Sequence, residues 1–482
     1  LQEWGKRVLD PDARLILRVV PESDTPDVNP RDSRPAAAAE TNFKLPPSSS
    51  FTLSNGIRVF YFNRPQLPLM TVSTLFKGGA QSDPAKKLGL ASITADMLSQ
   101  GAGSLDAEGF SKALESLGAS FGASAGDAST TVSLSSTAES FEKALPLYAS
   151  AIENPHLAAP DFERQRTLAL DALADDADDP ETASRFVALR EFFGPASPFG
   201  RNPAGTSDTL KAIEPADLRQ EHDALFRPDR AALFVAGSLP AEVVQKDLDR
   251  EFGAWAPSTG VPPLAEPKAE ARAVKGPRFV IVDRPQAVQT VIRFIFPGVP
   301  YGNPDRIALE GLATVLGGTF TSRLNADLRE DKGYTYGAGS HDVFEPQVGY
   351  MTAESSVRAN VTGLSLQEFL SQFARLRTGD IGTAEAVKAR QSMRTDQILA
   401  LESLSGLIAS AQQLFENGRS FQDLTQDLAT MSTLGAARLN VLAKSAAPLD
   451  KAVIVLIGDK DLILAQIAGL KLPKPEIVPG MR

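Results

Sequence analysis

Few side chains in this sequence are spaced to do chemistry. There are three histidines, His156, His222 and His341, and no cysteine. His156 follows Pro155 in a turn-like stretch, His222 falls in a helical one, and His341 precedes a strand-like one. A histidine site needs converging ligands, so each reads as a packed or surface residue. Ser140-Phe141-Glu142-Lys143 fits the S-x-x-K nucleophile pattern, but its S-D-N and K-T-G companions are missing. Gly118, Gly122 and Gly126 are not followed by the G-K-[ST] of a phosphate loop and read better as a strand connection. The acidic run Asp175 to Asp179 lacks calcium-loop spacing. Arg329 and Tyr336 are a different case. A guanidinium and a phenol can both donate hydrogen bonds to negative charge developing on a substrate oxygen. Spacing alone favours a plainer reading, with Arg329 in a surface ion pair and Tyr336 packed in a strand. Tyr334 is a rival, since a strand would turn both phenols to one face. Gly317-Gly318 would admit a substrate backbone or simply make a tight turn.

The elements that must hold these residues come in a repeat. Gly56 to Phe62 reads as a strand, followed by Arg64-Pro65-Gln66 and a second strand, Leu69 to Phe76. Phe279 to Val282, Arg284-Pro285-Gln286 and Val288 to Phe296 repeat that pattern. Gly89-Leu90-Ala91 opens a helix, and Gly311-Leu312-Ala313 is expected to open its counterpart. Apolar strands closed by Gly237 and Gly458 end the two halves. The three matches have offsets of 220, 222 and 221 residues. Three matches in order at one spacing indicate two homologous domains. Thr130 to Ser135 alternates as a half-buried strand, Ala138 to Ile152 has helical periodicity, and Pro160 starts another helix. Strands followed by helices in each half make an α+β chain. The Pro-rich stretch from Ala256 to Pro277 reads as the linker. Ahead of the repeat, Gln2 to Val20 suits a short helix and strand, and Pro21 to Pro47 an arm or flexible segment.

At 482 residues, with 43% hydrophobic and 22% charged residues, the composition is that of a globular protein. A net charge of −10 argues against nucleic-acid binding. No apolar run reaches the roughly 20 residues of a membrane span. The absence of cysteine suits an oxidising compartment such as the periplasm. The start at Leu1, without a targeting segment, fits removal of a signal peptide or trimming.

Several stretches resemble the pitrilysin/insulinase superfamily of inverted-zinc metallopeptidases, especially its short heterodimeric branch, which includes mitochondrial processing peptidase. Asn55-Gly56-Ile57-Arg58-Val59 looks like the family's opening strand, and Lys77-Gly78-Gly79-Ala80-Gln81 like the turn before its zinc helix. Gly89-Leu90-Ala91 matches the start of that helix. Phe226-Arg227-Pro228-Asp229-Arg230 and the strand to Gly237 resemble the close of the first domain. The likeness spans about residues 50 to 475. The family signature H-x-x-E-H puts two zinc ligands and a water-activating Glu on one helix face. Those positions here are Ser92, Ala95 and Asp96. The third ligand, a Glu on a later helix, falls on Ala172, or on Asp171 after a one-residue slip. A catalytic zinc needs three protein ligands and an open position, so the resemblance implies no metal and no other cofactor in this chain.

The second half keeps what the first has lost. The resemblance assigns Arg329 and Tyr336 to the substrate carbonyl and its oxyanion, acting in trans on a partner's zinc site, with Gly317 and Gly318 in the substrate-binding loop. It implies two homologous metallopeptidase-like α/β sandwich domains in tandem. Residues 1–48 are an N-terminal extension and 49–255 the repeat with the degenerate zinc site. Residues 256–276 are the linker and 277–482 the repeat with the Arg/Tyr motif. The expected function is that of the non-catalytic subunit of a heterodimeric zinc metallopeptidase, inactive alone. Its partners would be a zinc-bearing homologous subunit and a peptide or unfolded polypeptide substrate. An inert scaffold, as in the core subunits of the respiratory cytochrome bc1 complex, and a stand-alone peptide-binding protein are the alternatives.

Overall fold

The computed structural model describes residues 2–20, 43–257, 259–261, 264 and 277–481. It divides into two compact units, residues 1–43 and 44–482. In the first, Gln2–Val8 forms a helix, and Pro11–Ala13 a single 3-10 turn capped by Asp10, whose Oδ1 accepts from Asp12 N at 2.9 Å. The strand expected before Val20 is not formed: residues 14–20 have no ladder partner among the described residues. Most of the expected linker, 262–263 and 265–276, lies outside the described residues.

The second unit contains two six-stranded sheets. The first is built from β1 (Ser48–Thr52), β2 (Arg58–Asn63), β3 (Leu69–Lys77), β4 (Ser120–Ala125), β5 (Ser129–Thr137) and β6 (Ala231–Gly237), in the order β1-β2-β6-β3-β5-β4. The second comprises β7 (Arg278–Asp283), β8 (Gln289–Pro297), β9 (Thr335–Phe344), β10 (Gly349–Arg358), β11 (Val453–Gly458) and β12 (Glu476–Ile477). Its order, β9-β10-β8-β11-β7-β12, is the first read backwards. Both sheets have a parallel pair at the same place, β2 with β6 and β7 with β11, and the repeat of about 220 residues is visible in space. Only the edges differ, since β1 runs antiparallel to β2 whereas β12 runs parallel to β7.

Alternation along the central strands shows what covers each face. In β3, Met70, Val72 and Phe76 enter a core with Phe141, Leu145 and Tyr148 of the helix α1 (Phe141–Glu153). In β8, Ile292, Phe294 and Phe296 enter a core with Phe369 and Phe373 of a later helix (Thr362–Thr378). The opposite faces are covered by exchange between halves. Helix α2 (Ala159–Asp178) leads into α3 (Pro180–Phe193), which lays Ala183, Val187 and Phe192 on Val291 and Ile295 of β8. Ser184 Oγ accepts from Arg293 Nε there at 2.8 Å. In return α4 (Leu404–Glu416), from the second half, lies on β3 and β6. Phe415 meets Phe60 and Phe234 edge-on at 5.5 and 5.6 Å, and Gln412 Nε2 donates to Ser73 Oγ at 2.9 Å. Each half thus completes the other's core. No single helix among the described residues is long and apolar enough to cross a membrane; α4 and the helix before it, Thr383–Ala400, would pass only as a pair bent by 111°.

One expected boundary moves. The helix expected to open at Gly311 runs from Arg306 to Leu316. Gly311 is in its middle, where an added Cβ would lie 2.7 Å from Leu434 Cδ2, so the glycine serves helix packing.

Candidate functional site

The helix bearing the three zinc-signature positions runs from Leu90 to Met97. Its start is fixed by Gly89, at φ 91°, and by Asp83, whose carboxylate accepts from Gly89 N at 2.7 Å and Ala91 N at 3.0 Å. Burial pushes the Asp83 carboxyl up to about 7 against those hydrogen bonds. The positions themselves do not fit zinc. Ser92 Oγ donates to Pro203 O at 3.1 Å, and Ala95 is a fully buried methyl. Asp96 keeps contact with solvent, yet the protein around it raises its carboxyl. On α2, Asp171 and Ala172 are both exposed, while Phe162 and Leu173 pack against Leu90 and Met97. Among the described residues, no three His, Asp or Glu side chains converge as metal ligands. The histidines have structural partners: His222 Nε2 meets Ile152 O at 2.8 Å and His156 Nε2 meets Gly103 O at 2.7 Å. His341 does not precede a strand but lies within β9.

The second-half loop is built with more care. Arg329 sits in Ala326–Asp331, a turn of wide, π-type helix of the kind often found at functional sites. Asp327 anchors that turn by accepting from Gln372 Nε2 at 2.7 Å and pairing with Lys332. The Arg329 guanidinium lies over the Phe320 ring at 4.2 Å, with Nε 3.3 Å from Glu330 Oε1. Stacking on a half-exposed ring holds the charge at the surface.

Tyr336 is 89% exposed. A bulge explains this: Thr335 pairs with Val357 and Ala338 with Ser355, so Tyr336 and Gly337 together stand opposite Ser356. Gly337 N donates to Thr335 Oγ1 at 3.0 Å, the Thr335 hydroxyl reaches Ser356 O at 2.7 Å, and Ser355 Oγ donates to Gly337 O at 2.8 Å. Tyr334, ahead of the strand, is half-buried against the second core. The two phenols therefore do not share a face, because the irregularity breaks the simple alternation.

Sequence reasoning missed Asn325. Buried at the start of the wide turn, its Oδ1 accepts from Ala338 N at 3.1 Å, and its Nδ2 donates to Phe320 O. One side chain thus fastens the ring beneath Arg329 to the strand that carries Tyr336. Asn is common in turns, and its spacing held no signal. Gly317 and Gly318 have packing reasons. A Cβ on Gly317 would lie 2.2 Å from Ser340 N, and one on Gly318 would lie 2.6 Å from Thr314 Cα. This chain's own backbone takes the room the glycines leave.

Tandem sheet domains, a helix carrying Ser92, Ala95 and Asp96 at the zinc-signature positions, and a presented Arg/Tyr loop define a metallopeptidase-type fold, in which no three metal-ligand side chains converge among the described residues. Residues 58–190 match the family described as "Insulinase (Peptidase family M16)", and residues 212–393 match "Peptidase M16 inactive domain". The chain belongs to peptidase family M16. It is 21% identical over 403 residues to the uncharacterised zinc protease YmxG of Bacillus subtilis, covering 82% of this chain and 94% of that one. The non-peptidase homolog YmxG of Helicobacter pylori is 24% identical over 284 residues, 58% of this chain and 63% of that one. The crystal structure of a peptidase M16 inactive domain from Pseudomonas fluorescens superimposes with a TM-score of 0.78 at 21% identity, over 86% of this chain and 98% of that one.

Proposed function

We propose that this chain is the non-catalytic subunit of a heterodimeric zinc metallopeptidase. The observation that carries the reading is the presentation of Tyr336, extruded by a hydrogen-bonded bulge beside a loop whose arginine is stacked in place. An exposed aromatic held this firmly does nothing for the fold and suits a surface that acts on something else. The partner would supply H-x-x-E-H and zinc. From this side, the phenol and guanidinium would donate hydrogen bonds to the substrate carbonyl oxygen as negative charge develops on it. The substrate would be a peptide or unfolded polypeptide enclosed between the subunits. The cysteine-free composition supports a periplasmic setting.

Copurification from the native host, followed by peptide cleavage with each component alone and mixed, tests the assembly. Activity should require both chains. Tyr336→Phe in the assembled enzyme should then lower turnover by ~100-fold or more while leaving assembly and zinc content unchanged. Tyr334→Phe is the control. Full activity in both Tyr336→Phe and Arg329→Ala complexes would reject the role in favour of an inert scaffold.

A further inference from the structure

The two Arg-Pro-Gln turns, 220 residues apart, do the same work in opposite halves. Arg64 N donates to Gly237 O at 2.6 Å and Arg284 N to Gly458 O at 2.8 Å, so each turn is tied to the closing strand of its own half. Each guanidinium then reaches across to the other half. Arg284 Nη1 donates to Asp178 O at 2.7 Å and Nη2 to Ala177 O, at the C-terminal end of α2. Arg64 Nη2 donates to Leu401 O at 3.4 Å and Glu402 O at 3.3 Å, just past the helix Thr383–Ala400. The last carbonyls of a helix lack partners and form the negative end of its dipole, and an arginine answers both needs. Each gripped end is also the elbow at which the chain crosses to the other half's sheet, into α3 or α4.

The second elbow is stiff. Helix Thr383–Ala400 meets α4 at 111°, Ser403 Oγ accepts from Gly406 N at 3.0 Å, and a Cβ on Gly406 would lie 2.1 Å from Ala400 O. A shift of α4 on the first sheet is therefore passed to the helix before it, since close-packed elements transmit strain. That helix has 18 residues and spans about 27 Å.

Its other end is fastened to the loop that carries Phe320. Arg323 is 8% exposed; its Nε and Nη2 donate to the two carboxylate oxygens of Glu385 at 2.7 and 2.8 Å, and its Nη1 to Asp380 Oδ1 at 2.6 Å. Lys388 Nζ donates to Thr321 O at 2.7 Å. A cavity of about 450 Å³ is lined by Thr319, Thr321 and Ser322 of the loop and by Lys388 and Ala389 of the helix. Polar contacts, rather than close packing, therefore join the two on this side. Phe320 lies between the anchored residues and is the ring on which Arg329 stacks.

We infer that helix Thr383–Ala400 is a lever between the halves: Arg64 holds one end, and the other end sets the loop beneath Arg329. Arg64 is then a positioning residue that acts on Arg329 from the far end of the helix. The catalytic consequence rests on the proposed function; the lever itself does not. With α4 seated on the first sheet, Glu385 and Lys388 hold the loop and the guanidinium is presented. Lifting of α4 slackens both contacts and lets the loop relax. The duplicate latch at Arg284 grips α2, in the first half, and serves as an internal control.

Hydrogen exchange on the whole purified chain tests the lever without a partner. Arg64→Ala should speed exchange at the elbow, 401–406, and also at Ser322 N and Ala326 N, which donate to Thr319 O at 3.0 Å and Ser322 O at 2.8 Å. Coupling of the usual size makes those loop amides exchange at least about fivefold faster. Arg284→Ala should speed exchange at 177–182 and leave the loop unchanged. Added to Arg64→Ala, Glu385→Gln should loosen the loop little further, because either change cuts the same connection. In the assembled enzyme, Arg64→Ala should lower kcat by about fivefold at unchanged KM, and Arg64→Lys should restore part of the loss. An unchanged loop in Arg64→Ala, or equal loosening of the loop by Arg284→Ala, would overturn the lever. A loosened loop with undiminished kcat in an active complex would overturn the positioning role of Arg64. Mixed subunits with no activity at all would sink the proposed function and that role with it, while exchange would still decide the lever.

Discussion

Tyr334 and Tyr336 are two residues apart and live in different environments, one half-buried against the core and one in solvent. The difference is made by Thr335, Ser355 and Asn325, none of which touches a reacting atom. Asn325→Ala should therefore cost stability, by about 1–3 kcal/mol in urea unfolding. If the proposed assembly holds, it should also lower that complex's turnover nearly as far as Tyr336→Phe does. An Asn325→Ala complex with full activity would separate the loop's order from its use. Glu221 offers a second residue-scale prediction. It is 5% exposed, its Oε1 has no partner, and burial with nearby Asp83 pushes its carboxyl from 4.5 up to about 7. The folded state holds a proton that the unfolded chain releases. Its stabilising contribution is fully present below the unfolded pKa and is lost as pH rises to about 7. Glu221→Gln keeps the shape and cannot ionise. It should raise stability at about pH 8 by on the order of 1 kcal/mol or more, and change it little at about pH 4. An equal effect at both values would contradict the assigned shift.

At the scale of elements, the repeated strands were legible because apolar runs and turn signals occur at one offset in both halves. The helix from Leu90 to Met97 was legible because Gly89 marks its start, and Ser92, Ala95 and Asp96 can be compared position by position with a known spacing. The exchange of α3 and α4 was not. Their apolar residues show that each is covered, but not by which sheet, since that choice is settled by packing across more than a hundred residues of sequence. The bulge at Tyr336 was hidden for a related reason: it is fixed by hydrogen bonds from the neighbouring strand. The position of Gly311 misled because glycine marks helix ends more often than close helix packing. The exchange makes its own prediction. Phe415→Ala, a change in the second half, should remove about 3 kcal/mol and reduce amide protection in β2 and β6 of the first. Loss confined to residues beyond 277 would contradict the packing.

For the whole molecule, the exchange means that the halves are not independent modules. Proteolysis between Pro257 and Arg278 should give two bands on a denaturing gel and one particle of unchanged size by gel filtration. Separation into two free fragments would show that the shared cores contribute little. The metal chemistry belongs at this scale too. Ser92, Ala95 and Ala172 offer no good zinc ligand, so the isolated chain should bind no stoichiometric zinc and cleave nothing. One tightly held zinc per chain, with chelator-sensitive activity and no partner present, would refute this.

The same exchange has a consequence for synthesis on the ribosome. The outer face of the first sheet is complete once Gly237 has emerged, but α4, which covers it, ends at Glu416. At 5–20 residues per second, that face waits roughly 10–40 s for its lid. Ser73 keeps its hydroxyl on this face, but Phe60, Leu75 and Phe234 stay exposed in the interval. A nascent chain of this kind carries an uncovered apolar face midway through translation, a surface open to aggregation until the second half arrives.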